Sequence, residues 1–82
     1  MNKVYVLFQC WQQGHYGEED QLESIFASVA AAKNYYLKRG REGHLPFSEH
    51  LVWSSNDDET GPFFLHVNEY RWFVIEEHEV KG

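Results

Sequence analysis

Residues 3–11, KVYVLFQCW, contain no helical repeat, and their Val, Tyr, Leu, Phe and Trp are the composition of a strand buried on both faces. Alternation along such a strand sends Val4, Val6, Phe8 and Cys10 to one side and Tyr5, Leu7 and Trp11 to the other. The closing segment, residues 70–80 (YRWFVIEEHEV), is a second long strand that turns acidic at its end. Its alternation places Trp72, Val74, Glu76, His78 and Val80 on one face and Arg71, Phe73, Ile75, Glu77 and Glu79 on the other. The apparent cluster of three glutamates around a histidine therefore divides. Glu76 and His78 share a side, and Glu77 and Glu79 point away from them.

Between these strands the chain alternates apolar runs with polar connections. Residues 12–21, QQGHYGEEDQ, read as a polar hairpin loop with glycines at 14 and 17, and LESIFAS follows as a second strand. Ser28 stands where a helix needs a side-chain acceptor for a free N–H of its first turn. The helix is expected over residues 29–39, VAAAKNYYLKR, with a basic last turn and Gly40 as its left-handed cap. Val29, Ala32 and Tyr36 form its apolar stripe with Leu37 at the edge, and Lys33 extends its ammonium to water. HLVWS, residues 50–54, reads as a third strand and FFLHVN, residues 63–68, as a fourth, in which His66 points with Phe64 and Asn68. Asn68–Glu69 is the turn into the closing strand. The expected fold is a single α+β domain over residues 1–82. One helix packs on a mostly antiparallel sheet of about five strands, in the order β-β-α-β-β-β.

The pattern KVYVLF, then ESIFASVAAAKNYY, then WFVIEEHEV resembles a small family of uncharacterised bacterial and phage-encoded single-domain proteins. Ile25, Phe26, Ser28, Ala30, Phe73 and Ile75 carry most of the likeness, which covers about half of the chain. Residues 42–70 have no counterpart in it. The resemblance implies a small accessory protein of a bacterium or its phages, and brings no activity with it.

Composition narrows the function classes. Seven Lys and Arg against thirteen Asp and Glu give a net charge of −6, which opposes binding to nucleic acid by phosphate neutralisation. Three Trp, five Tyr and six Phe are a surplus for the interior of an 82-residue chain, so some lie near the surface, and a homodimer is expected to use them. One cysteine, Cys10, cannot form an internal disulfide. With no convincing signal peptide and no run of about 20 apolar residues, the expectation is a cytoplasmic protein off the membrane.

Catalytic signatures are missing. Five histidines, at 15, 44, 50, 66 and 78, lack the short ligand spacing of a zinc site, and no metal or cofactor is expected. Cys10 lies in an apolar strand, where burial suppresses its reactivity. Gly14 and Gly17 do not open a helix N-terminus, so they form no phosphate-cradling loop. A binding site fits better. Trp11, Trp53 and Trp72 offer flat faces, His15 and Tyr16 sit in a polar loop beside them, and Arg41 and Arg71 can hold an anion bidentately. These seven residues are the candidate site. The expected function is that of a small acidic non-enzymatic binding protein, an accessory or inhibitor acting through protein–protein contact. The alternative is a binder of a nucleotide-like small molecule with a pocket at a dimer interface. A small enzyme or metalloprotein comes third.

Overall fold

The computed structural model describes residues 2–12, 18–46, 51–55, 57 and 61–80. Its elements are β1 (Asn2–Gln12), β2 (Glu18–Phe26), α1 (Val29–Arg41), β3 (Ser54–Ser55), β4 (Phe63–Asn68) and β5 (Arg71–Val80). The strands form one antiparallel sheet in the order β2-β1-β5-β4-β3, so the two long end segments of the sequence lie side by side at its centre. Each long central strand has partners on both edges. The α+β architecture is as the sequence predicts.

The helix side of the sheet is the core. Leu7 of β1, Phe63 and Leu65 of β4, and Phe73 and Ile75 of β5 pack against Ala32 and Tyr36 of α1 and against Leu45 beyond it. These are one face of each strand and the predicted stripe of the helix. Tyr36 meets Phe73 edge-on, with ring centroids 4.9 Å apart, and donates its hydroxyl proton to the Pro46 carbonyl. Aliphatic side chains, Leu7, Leu45, Leu65 and Ile75, and the rings of Tyr36, Phe63 and Phe73 share this buried area, which is the main stabilising contribution.

α1 begins as expected: Ser28 is extended and its Oγ accepts from Ala31 N–H at 3.1 Å. Its end differs from the sequence reading. Gly40 is a buried residue inside the last turn, the helix continues to Arg41, and Gly43 takes the left-handed conformation with φ +83°. Gly43 ends the helix because a glycine takes the left-handed conformation at no steric cost. Lys33 also departs from its expected position, since its ammonium lies 4.8 Å from the Phe63 ring centroid as a cation–π contact rather than extending to water.

Strand boundaries and one register also change. β1 and β2 extend through Gln12 and back to Glu18, so Glu18, Glu19 and Asp20 are strand residues rather than loop, paired with Gln12, Trp11 and Cys10. The third strand is only Ser54–Ser55, and Leu51 to Trp53 approach the core without ladder pairing. A register shift between His66 and Asn68 pairs His66 with Trp72 but Asn68 with Arg71, so Asn68 does not share a side with His66.

Two titrating groups tie the fold to alkaline pH. Burial pushes the Tyr36 phenol above its ordinary 10.0. The Lys3 ammonium is held above its ordinary 10.5, first by its hydrogen bond to the Glu77 carboxylate, 3.0 Å away, and then by that group's charge. In both cases the folded chain binds its proton more tightly than the unfolded chain. Their stabilisation is therefore full below about pH 10 and is lost as pH rises through the folded values. The melting temperature should fall above about pH 10, and Tyr36→Phe should remove part of that fall. A melting temperature that stays level into strong alkali contradicts this assignment.

Candidate functional site

Among the described residues β1 carries one buried polar side chain. Gln9 follows Tyr5 and Leu7 on the helix side and precedes Trp11, and it is buried, with 8% of its surface exposed. A buried amide must find hydrogen-bond partners. With its amide oxygen facing the guanidinium, Gln9 accepts from Arg71 Nε at 2.8 Å and from Nη2, and its amide nitrogen donates to Glu23 Oε1 at 2.9 Å. This orientation is assigned from the donors and acceptors around it, because the opposite one would set the amide NH2 against the guanidinium and the amide oxygen against the Glu23 carboxylate.

Beyond Gln9 the sheet continues past the helical cover and forms a groove of about 490 Å³ lined by Gln9, Trp11, Gln12, Gln21, Asn68, Tyr70 and Arg71. Register explains the assembly. Gln9 pairs with Gln21, Trp11 with Arg71, and Asn68 with Arg71 from the other side. The turn after β4 is held by Asn68 Oδ1, which accepts from Tyr70 N–H at 2.7 Å, while Gln12 N–H donates to the Tyr70 carbonyl at 2.8 Å. Both hydrogen bonds fix the position of Tyr70, whose ring is 60% exposed at the rim.

The electrostatics of the groove centre on Arg71. Among the described residues no carboxylate lies within 4.0 Å of its guanidinium. A neutral amide holds it. Gln9 thus orients the guanidinium, with the Glu23 carboxylate on the far side of that amide. The arrangement offers a positioned cation, flat faces from Trp11 and Tyr70, and amide groups able to donate and accept.

Of the seven residues expected from sequence, Trp11 and Arg71 meet in this groove. Trp53 lies instead against the core, edge-on to Tyr36 with centroids 5.6 Å apart. Trp72 is on the opposite side of the sheet, near His66 at 6.5 Å between centroids. Arg41 is exposed in the last turn of α1. His15 and Tyr16 lie outside the described residues. Gln9, Gln12, Gln21, Asn68 and Tyr70 were not anticipated. Gln9 carries a sequence signal nonetheless, because a polar residue at an inward position of an apolar strand calls for partners. Asn68 carries none, since the register shift alone brings it to Arg71.

No family model, curated protein or solved structure matches this chain. Among the described residues no three His, Cys, Asp or Glu side chains converge as metal ligands. Glu76 and His78 do meet, with Oε2 and Nε2 3.1 Å apart, on an exposed part of the far face, and Glu77 turns to the other side to accept from Tyr5 and pair with Lys3. No helix of the described residues is long and apolar enough to cross a membrane.

Proposed function

We propose that the protein is a small non-enzymatic binding domain whose groove receives a flat, anionic, nucleotide-like ligand. One observation carries this reading: Arg71 is positioned by the buried Gln9 amide, between Trp11 and Tyr70, with no carboxylate of the described residues upon it. A phosphate or carboxylate on the guanidinium gains charge-assisted hydrogen bonds, and a base on Trp11 or Tyr70 gains stacking worth about 1–3 kcal/mol. Most of the net charge of −6 acts weakly here, because charges beyond about 8 Å are largely screened at physiological salt, and Glu23 is the acid that lies nearer, behind the Gln9 amide. The groove lies on the helix side and is built from one chain, so the reading needs no pocket at a dimer interface. A cytoplasmic setting and an accessory role in a bacterium or phage belong to the same proposal.

Thermal melting with a panel of nucleoside monophosphates tests it. A ligand at one hundred times its Kd stabilises the fold by about 2.7 kcal/mol, which raises the melting temperature by several degrees. A panel in which no member moves the melting temperature rejects the nucleotide-like reading.

Protein–protein contact is a second reading, and a different surface supports it. The side of the sheet away from α1 carries Phe8, Phe64 and Trp72 half-buried, with Leu22 and Ile25 at 50% and 56% exposure. Apolar groups gathered in this way favour contact with another protein.

A further inference from the structure

The far side of the sheet has an order that its composition does not reveal. A register shift between Leu7 and Phe8 places Leu22 opposite Phe8 and Ile25 opposite Val6, so both β2 residues face away from the helix. Simple alternation would have put positions 22 and 25 on opposite sides; the bulge at Glu23 puts them on one. The resulting middle row runs Leu22, Phe8, Val74, Phe64 across four strands and is wholly apolar. The next row runs Asp20, Cys10, Trp72, His66, with an exposed acid at one end and an exposed histidine at the other. Among the described residues no helix or second sheet covers these rows, since all five strands belong to one sheet and α1 packs on its other side.

We propose that this face packs on the same face of a second copy, about a two-fold axis running along the strands between β1 and β5. That axis exchanges β1 with β5 and β2 with β4. It sets Leu22 on Phe64 of the partner subunit and Phe8 over the partner's Val74, which its own neighbours already bury, so Leu22, Phe8 and Phe64 supply the newly covered apolar surface. In the next row the same rotation sets Asp20 opposite His66 of the partner subunit, and does so twice per dimer. The strands of the two sheets are then nearly aligned, as in sheet-on-sheet packing at about 30°. Only this choice of axis makes both rows complementary. A two-fold running across the strands would lay Asp20 on the partner's Ile25 and Glu76 on the partner's Trp72.

A face four strands wide at about 4.8 Å spacing and as long as the six residues of β4 at about 3.4 Å covers roughly 400 Å² per copy, the size of a weak, reversible contact. In the row beyond, the same rotation brings Glu76 over the partner's Val6 at the end of the footprint, where the Glu76–His78 pair reaches water. The inference names the occupant for the protein-contact reading and is independent of the groove, which opens on the other side of the sheet.

Sedimentation equilibrium over a range from low micromolar to submillimolar protein tests it. The wild-type chain should show a monomer–dimer equilibrium. Leu22→Lys should leave only monomer with the far-UV spectrum unchanged, because Leu22 is half exposed on an edge strand. Asp20→Lys and His66→Glu, each at an exposed position, should each raise the dimer Kd by about tenfold, and the two together should restore it to within a few-fold of wild type. A wild-type chain that stays monomeric overturns the proposal. So does a dimer that is indifferent to all three substitutions, or a charge exchange that fails to rescue two weakened single variants. The groove is tested separately by the nucleotide panel, which none of these substitutions touches.

Discussion

Phe73→Ala should remove about 3–5 kcal/mol of folding stability. Phe73 is fully buried at the centre of β5, between Leu65 and Gln9 on the neighbouring strands, with the Tyr36 ring at 4.9 Å. Truncation deletes the apolar transfer contribution of the ring and leaves a cavity that two hydrogen-bonded neighbouring strands cannot collapse into. A chain of this length has about 4–12 kcal/mol in all, so the variant is expected to be largely unfolded or to melt far below wild type. Denaturant titration followed by tryptophan fluorescence gives the number. Phe73→Leu, which refills most of the volume, should lose much less. If Phe73→Ala costs under about 1 kcal/mol, the core is not centred where the helix crosses β5.

The second large effect concerns the groove. Arg71→Ala should weaken binding of the nucleoside monophosphate that gives the largest thermal shift by about 2 kcal/mol or more, roughly thirtyfold in Kd. The loss arises because the guanidinium is both charged and forked, and Gln9 holds it in one orientation. Arg71→Lys should fall between the two, since it keeps the charge and loses the fork. Gln9 loses a partner in Arg71→Ala, so a stability cost of about 1 kcal/mol is expected alongside, and titration calorimetry well below the melting temperature separates the two effects. An Arg71→Ala protein that binds the nucleotide as tightly as wild type removes Arg71 from the site.

The two predictions bear differently on the sequence. Phe73 was legible there: alternation in the closing strand places it with Ile75 and apart from Trp72, and the structure keeps that division. The helix stripe of Ala32 and Tyr36 was equally legible, because a 3.6-residue repeat has one apolar side whatever it packs on. Arg71 was named as a candidate, but for a site that also included Trp53 and Trp72, and the sheet separates these three. Trp53 went to the core and Trp72 to the far face. Which aromatic meets which cation depends on strand order and register, neither of which alternation within one segment supplies.

Register shifts account for most of what was hidden. Among the described residues two occur, one between Leu7 and Phe8 and one between His66 and Asn68, and each reverses the facing of the residues beyond it on the bulged strand. The first gathers Leu22 and Ile25 on the open face, and the second delivers Asn68 to the groove. A bulge is a property of two paired strands, so a single strand's pattern carries little sign of it.

The sequence by itself determined the α+β class, the helix with its Ser28 cap, the inward face of each long strand and the separation of Glu76 and His78 from Glu77. All of these follow from local periodicity and from hydrogen bonds within a few residues. Only the tertiary structure decided that β1 and β5 are central neighbours, that Gln9 couples Arg71 to Glu23, and that α1 covers one side of the sheet while no helix or strand of the described residues covers the other. Those depend on contacts between residues some sixty apart in the chain, where geometry is set by the packing of the whole sheet and not by any segment of it.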